Sequence, residues 1–274
     1  LQVSNHTHGR RIECRSGFTD KSRMQLAPQS VARLAMLPCR LGVGLVLLTL
    51  LSFPHGDAAA STILEPFRSE YAVDYSGFRA SRTVSLEKTG HEYILRSTTR
   101  LKGLARLSGY GPVYEISRFT LHDGVVRPTL YSIGEEKKNP KRDIRIEFDW
   151  DSGISQGYAK GETQSFPLEP NMQDPLSFEL AGRLMLNDGT RDFALTVHEG
   201  HRVRTYRFIK EADETLNIAS KAISSTRFFI DRNSSRELFY WFADELRYLT
   251  LRIRQIHGQK TQGTVSLTKS TLLH

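Results

Sequence analysis

Hydrophobic and polar residues alternate along most of the chain after residue 60, which is the pattern of β-strands with one buried face. In residues 144–150, for example, Ile, Ile, Phe and Trp alternate with charged residues. Turn residues such as Gly, Asp and Ser separate these segments at short intervals, which favours antiparallel strands over β-α-β units. The alternating segments are residues 71–75, 93–95, 144–150, 193–197, 203–208, 249–253 and 265–267.

One segment has the spacing of a helix instead. The apolar residues of segment 176–184 recur at intervals that place them along one helical stripe. Asp174 is a favourable N-cap residue, Pro175 suits the first helical position, and the Asn-Asp-Gly sequence at 187–189 is a stop signal. We therefore predict an amphipathic helix over residues 175–186 that packs against a sheet or fills one end of a barrel.

The run Leu-Phe-Tyr-Trp-Phe at residues 238–242 is apolar on both faces of a strand. Such a strand is covered on both sides, and we expect a barrel interior on one side and the helix on the other. Together these patterns predict a mainly β fold, namely a single-domain antiparallel curved sheet or incomplete β-barrel with one amphipathic helix.

Residues 36–60 have the organisation of a secretory signal peptide. Arg40 precedes an uninterrupted apolar run at residues 41–53, and small alanine residues end the segment. The apolar run is shorter than the roughly 20 residues that a membrane-spanning helix needs. We predict cleavage before Ser61 and export; the alternative is an uncleaved N-terminal anchor.

The upstream segment, the cysteines and the net charge do not alter the predicted fold or the predicted export. Residues 1–35 are polar and aperiodic, and we interpret them as the result of a misassigned start, with translation beginning at Met24 or Met36. Both cysteines lie before residue 61, so the single β-rich domain predicted for residues 61–274 contains no thiol for catalysis or metal binding. Of the formal net charge of +8, residues 61–274 carry +4 from 31 basic and 27 acidic residues, which is too mild to indicate nucleic-acid binding.

Candidate chemistry is sparse in this domain. The sequence His198-Glu199-Gly200-His201 is a weak metal candidate, because two histidines that flank a turn can face the same side, yet no third ligand is identified. Glu-Gly is also ordinary turn chemistry. The chain has no nucleophile elbow and no phosphate-binding loop. We therefore predict no cofactor, no catalytic residue and a protein that is not an enzyme.

Two blocks of sequence resemble a known family. Asn-Met-Gln-Asp-Pro-Leu-Ser at residues 171–177 and Leu-Phe-Tyr-Trp-Phe-Ala-Asp-Glu-Leu-Arg-Tyr-Leu-Thr-Leu-Arg-Ile-Arg-Gln at residues 238–255 are similar to the bacterial domain of unknown function 3108 family. The resemblance covers most of residues 66–270. It implies an exported periplasmic protein with a predominantly antiparallel β fold, and it brings no established activity or catalytic residues with it.

The many aromatic residues of the strands leave two alternatives, since they either line a cavity or only fill the core. Our leading hypothesis is non-enzymatic binding of an apolar or amphiphilic envelope ligand, such as a lipid. Trp241 and Tyr248 are the expected wall residues, and Arg252 and Arg254 are the expected rim for an anionic head group. The alternative is an envelope interaction or scaffold module that binds another protein along an open sheet edge. We expect no stable transmembrane anchor.

Overall fold

The protein is described here from a computed structural model, which describes residues 64–108, 111–135 and 143–273. The predicted signal peptide, its cleavage position and the segment before it lie outside these residues. The strands are β1 (Phe67–Tyr75), β2 (Phe78–Thr89), β3 (Glu92–Leu101), β4 (Val113–His122), β5 (Val125–Glu135), β6 (Ile144–Asp149), β7 (Ile154–Ala159), β8 (Glu162–Pro167), β9 (Phe193–His198), β10 (Val203–Ile218), β11 (Lys221–Asp231), β12 (Arg236–Ala243), β13 (Leu249–His257) and β14 (Lys260–Ser270). The helix α1 (Ser177–Asn187) lies between β8 and β9, and 3₁₀ helices occupy Gly103–Ser108 and Asp244–Leu246.

All fourteen strands form one antiparallel sheet. Each strand pairs with the next along the chain, except across the α1 connection, and β1 also pairs with β14. The sheet is therefore continuous from β8 through β1 and β14 to β9, and the only interruption among the described strands lies between β8 and β9. The predicted mainly β fold, with one antiparallel curved sheet and one helix, is confirmed.

Several hairpins are closed by two-residue turns whose geometry explains their composition. Ser76-Gly77, Asp123-Gly124 and Lys160-Gly161 all have positive φ at both positions. Turns of this kind follow the right-handed twist of the flanking strands, and glycine at the second position adopts the positive φ without steric cost.

The outer edge of β9 is covered by the chain that leads into α1. The backbone N–H of Gln173 donates to the carbonyl of Thr196 (2.7 Å), and the N–H of His198 donates to the carbonyl of Gln173 (2.9 Å). The side-chain amide of Asn171 adds a bond to the carbonyl of Ala194 (3.0 Å). This edge of the sheet is thus satisfied by residues 171–174, and β8 is left as the edge strand.

The two ends of the sheet meet through close side-chain and backbone contacts, which we call the seam. The turn after β9 packs so closely on β7 that a Cβ added to Gly157 would lie 2.1 Å from the carbonyl oxygen of Gly200 and 2.6 Å from Nε2 of His198. The His198 ring also contacts the rings of Phe148 and Phe166, with centroids 6.1 and 4.9 Å apart. Glycine at 157 is therefore a requirement of the closure.

Helix α1 lies against the concave face of the sheet and is buried along most of its length. The carboxyl group of Asp174 accepts hydrogen bonds from the backbone N–H groups of Leu176 (2.7 Å) and Ser177 (2.8 Å). The hydroxyl of Ser117 donates to its other oxygen at 2.5 Å. The helix begins at Ser177, later than expected, and Leu176 occupies its N-cap position. Asp174, predicted as the N-cap residue, instead lies two residues earlier and accepts hydrogen bonds from the backbone N–H groups of the turn that leads into the helix.

The doubly apolar run in β12 is covered differently from the expectation. Tyr240 packs edge-on against Phe178 of α1, with ring centroids 5.9 Å apart. Trp241 follows it in the strand and so faces the other way, where guanidinium groups of arginine residues cover its ring. The helix and the concave interior lie on the same side of this strand. The prediction that each covers one face is therefore wrong.

Candidate functional site

The concave side of the sheet is only partly filled by α1. A cavity of about 290 Å³ lies beside the N-terminal end of the helix. Its strand residues include Val73, Thr99 and Glu115, each two residues from the end or the start of its strand. We call this end of the sheet, where β1 and β3 end and β4 begins, the mouth. The cavity therefore lies just inside the mouth.

One part of the cavity wall is apolar. It is formed by Val73, Val265, Pro175, Leu176 and Phe178. Phe178 is held in place by edge-to-face contact with Tyr206, with ring centroids 5.0 Å apart, as well as by Tyr240. Because a fixed aromatic ring and branched side chains cannot collapse into the space, this wall offers a preformed apolar surface.

The rest of the wall is polar and charged. The Nε of Arg82 donates to the hydroxyl of Ser97 (2.8 Å), and its terminal nitrogen lies 3.7 Å from a carboxyl oxygen of Glu115. Glu115 also accepts a bond from the hydroxyl of Tyr131 (3.1 Å). Glu179 of α1 accepts a bond from the hydroxyl of Thr250 (2.5 Å). The polar wall thus combines one guanidinium with two carboxyl groups.

Burial and these neighbours fix the charge states of two further groups. Burial opposes the charge of Arg82, but Glu115 and Glu179 more than compensate and raise its pKa, so the guanidinium remains charged. Burial and then Glu179 raise the pKa of Tyr240 well above its ordinary range. The Tyr240 hydroxyl therefore stays protonated and can donate or accept a hydrogen bond at the cavity.

Three of the four residues that the sequence suggested for ligand binding lie together, but away from this cavity. Trp241 is 1% exposed, and the guanidinium carbons of Arg252 and Arg254 lie 5.8 and 5.3 Å from its ring centroid. The indole N–H donates to Glu214 (2.9 Å). This cluster is on the opposite face of the sheet from the cavity-lining Tyr240. A ligand role for these residues stays a prediction, but not as the wall of this cavity.

Tyr248, the fourth predicted residue, lies in the turn before β13. Its hydroxyl accepts a hydrogen bond from Arg191 (3.2 Å), whose guanidinium also lies over the ring. The preceding residue, Arg247, has its carbonyl bound by the buried Arg183 of α1. These contacts tie the C-terminal part of α1 to the turn, so Tyr248 has a structural environment and does not line the cavity.

The two histidines of the weak metal candidate are separated in environment. His198 is fully buried in the seam, with Nε2 3.3 Å from the carbonyl oxygen of Gly200, whereas His201 is partly exposed. Burial lowers the pKa of His198 to about 4, so its imidazole is neutral at pH 7. Within the part of the chain that the structure describes, no group of three metal-ligating side chains surrounds them.

The charged residues of the cavity were missed by the sequence interpretation. Glu115 has the same strand parity as the buried Ser117 and Phe119, and a charged side chain at a position that alternation assigns to the interior was the available signal. The sequence signal for Glu179 was weaker. This residue directly precedes Leu180 and so lies at the border of the apolar stripe of the helix.

Comparison with known proteins places the fold and the family. The structure is similar to the crystal structure of a β-barrel-like protein of domain of unknown function DUF1849 from Brucella abortus, with a TM-score of 0.50 and 11% sequence identity over 77% of this chain and 99% of that chain. No curated protein matches the sequence. None of the described helices is long and apolar enough to cross a membrane. The family described as "Protein of unknown function (DUF3108)" matches residues 70–258, and the chain therefore belongs to the DUF3108 family.

Proposed function

We propose that this barrel-like protein is a non-enzymatic periplasmic protein that binds a small apolar or amphiphilic ligand of the cell envelope inside the mouth cavity. The observation that carries the proposal is the division of the cavity wall into an apolar part around Phe178 and a polar part around Arg82, Glu115 and Glu179. A wall of this kind orients a ligand that has one apolar and one polar end.

The cavity limits the size of such a ligand. Its volume of about 290 Å³ is close to the lower end of the roughly 300–1,000 Å³ usual for small-molecule sites. One small amphiphile, or one chain of a lipid, fits this volume better than a complete diacyl phospholipid does.

The polar wall favours a particular head group. Two carboxyl groups face one guanidinium, and Glu115 already lies 3.7 Å from Arg82. A ligand whose polar end donates hydrogen bonds, such as a hydroxyl, amide or amine, satisfies the carboxyl oxygens. This differs from the anionic head group expected from Arg252 and Arg254, which lie on the other face of the sheet.

A cavity-filling substitution tests the proposal. N-phenyl-1-naphthylamine is a suitable probe, since it has an apolar body with one N–H donor and fluoresces strongly in apolar surroundings. We expect saturable binding to the protein and a loss of affinity of about tenfold or more for Val73→Trp, because the indole fills the cavity. Asp74→Trp, at the exposed neighbouring position, is the matched control and should bind as the parent does. Equal binding by all three proteins would refute the proposal.

The periplasmic location rests on the sequence of residues 36–60 and is tested separately. We expect the protein expressed in a Gram-negative host to be recovered in the periplasmic fraction with Ser61 as its first residue. N-terminal sequencing reads this directly. Recovery of the uncleaved chain with the membrane fraction would favour the N-terminal anchor instead.

A second candidate function follows from the free edge at β8. Among the described strands, β8 pairs only with β7, so its other edge offers backbone donors and acceptors to a strand of an envelope protein. A photo-cross-linking side chain in place of Gln164 should then capture a single protein in the intact envelope. The same side chain in place of Gln156, whose strand β7 is paired on both sides, should capture none.

A further inference from the structure

Exposed apolar side chains are concentrated at the mouth. Tyr75 and Phe78 flank the β1–β2 turn as a directly opposed pair, and they are 44% and 54% exposed. Leu104, in the 3₁₀ helix after β3, is 85% exposed. Scattered exposed apolar residues are normal on protein surfaces, but these three lie at the same end of the sheet, at the β1–β2 turn and just after β3, which pairs with β2. We call them the apolar tip.

One backbone contact shows that the two loops are neighbours. The N–H of Lys102 donates to the carbonyl of Arg79 at 2.8 Å, which fixes the start of the 3₁₀ helix Gly103–Ser108 beside the beginning of β2. Val73 of the cavity lies two residues before Tyr75 in the same strand. The apolar tip therefore borders the cavity that lies inside the mouth.

Basic side chains surround the apolar tip. Arg79, Arg100, Lys102 and Arg106 are all exposed, and Arg79 has an exposed acidic neighbour in Asp74, 3.7 Å away. Within residues 74–79 and 100–108, these four cations accompany a single carboxyl group, that of Asp74, so the two segments carry a net charge of +3. Arg100 also lies over the ring of the partly exposed Tyr114, 6.0 Å from its centroid. Apolar and aromatic side chains interspersed with Lys and Arg are typical of surfaces that lie on anionic bilayers.

We propose that the mouth docks on an anionic lipid surface, with the apolar tip inserted among the lipids and the four cations against their head groups. A bilayer is the favoured partner because the exposed apolar side chains are interspersed with exposed basic ones, and the anionic head groups of a bilayer complement these cations while its acyl region accepts the apolar side chains. Docking in this orientation places the cavity opening next to the membrane. A role of this docking in ligand exchange rests on the proposed function. The docking itself does not depend on the proposed function.

Vesicle flotation tests the proposal with matched variants. The purified protein is mixed with phosphatidylcholine vesicles or with phosphatidylcholine vesicles that contain about 30% phosphatidylglycerol, an anionic lipid that gives the vesicle surface a negative potential. We expect flotation with the anionic vesicles only, and its loss in high salt. Phe78→Ser/Leu104→Ser should lower the partition coefficient by about tenfold or more. Val125→Ser/Ile154→Ser removes two apolar residues that lie away from the tip and are 43% and 47% exposed, and this variant should partition as the parent does.

The flotation results test membrane docking independently of ligand binding. Absence of flotation with anionic vesicles, equal flotation with neutral vesicles, or equal loss in both double variants would each overturn membrane docking. Naphthylamine binding in solution should be unchanged in Phe78→Ser/Leu104→Ser, since neither residue lines the cavity. Conversely, Val73→Trp should lose the probe and still float. Flotation and probe binding therefore show which of the two proposals has failed.

Discussion

The fully buried His198 predicts a specific dependence of stability on pH. Its folded-state pKa is lowered from 6.5 to about 4, first by burial, while its bond to the Gly200 carbonyl acts in the opposite direction. Between these pH values the unfolded chain takes up a proton that the folded protein does not. The contribution of neutral His198 to stability is therefore present above pH 6.5 and is lost as the pH falls towards 4. The full difference corresponds to about 3 kcal/mol.

Asp174 opposes this trend over nearly the same range. Burial raises its pKa from 3.8 to about 6, although bonds from Ser117 and from backbone N–H groups lower it in part. The folded protein therefore keeps a proton that the unfolded chain has released, and stability is lost as the pH rises from 3.8 to 6, again by about 3 kcal/mol. The two groups should largely cancel in the parent protein and become visible only when one of them is removed.

Urea denaturation of the purified protein between pH 4 and 7.5 measures both effects. Relative to the parent, His198→Leu should become more stable by about 3 kcal/mol as the pH falls from 6.5 to 4, because leucine cannot take up a proton. Asp174→Asn, which keeps the helix cap, should show the opposite trend. His257→Leu, at an exposed position at the end of β13, is the control and should parallel the parent. If the stability of His198→Leu relative to the parent is independent of pH, the buried neutral imidazole is refuted.

Three further substitutions test the packing that positions the cavity. Gly157→Val should lower the free energy of unfolding by about 3 kcal/mol or more, because its Cβ would lie 2.1 Å from the Gly200 carbonyl oxygen. Thermal unfolding measures this loss. An unchanged melting temperature would contradict the close packing at the seam. Gly182→Ala should destabilise the protein although alanine has a helix propensity roughly 1 kcal/mol more favourable than glycine, because the added methyl group would lie 2.8 Å from the Phe208 ring. Urea denaturation measures the change. A rise in the free energy of unfolding would show that the helix has room to shift. Ser117→Ala should lower the free energy of unfolding by about 1–3 kcal/mol. It should also raise the pKa of Asp174, whose carboxyl group loses the hydrogen bond from Ser117. NMR titration of the Asp174 carboxyl group would detect or exclude this rise.

The sequence predicted the helix and eight of the fourteen strands, whereas β2, β4, β5, β7, β8 and β11 were not predicted. The extents of the predicted strands agree to different degrees. Residues 144–150 alternate clearly between apolar and charged side chains, and the observed strand is Ile144–Asp149. In contrast, the strand predicted to end at residue 208 continues to Ile218. Its second half is mostly polar, and hydrogen bonds to β11 hold it in the sheet. A strand whose stability comes from its partner leaves little signal in its own sequence.

The site was less predictable than the fold for a related reason. Charged residues in a strand ordinarily indicate a solvent-exposed face, so Arg82 was not expected to line an interior. Glu115 was recognisable only from the strand parity that it shares with Ser117 and Phe119. The placement of Arg82 and Glu115 depends on the pairing of β1 with β14, which joins residues about 200 positions apart in the chain and which alternation cannot specify. Arg252 lies beside the ring of Trp241, but the parity of β12 assigns Trp241 to the face of the sheet opposite the cavity.

The most direct test of a ligand-binding cavity is native mass spectrometry of the protein purified from its own cell envelope, without added lipid. We predict a complex with one small molecule, present for the parent protein and for Asp74→Trp and absent for Val73→Trp. If the parent protein carries no bound molecule, or if Val73→Trp retains the same one, the cavity near Arg82 and Phe178 is not a ligand site.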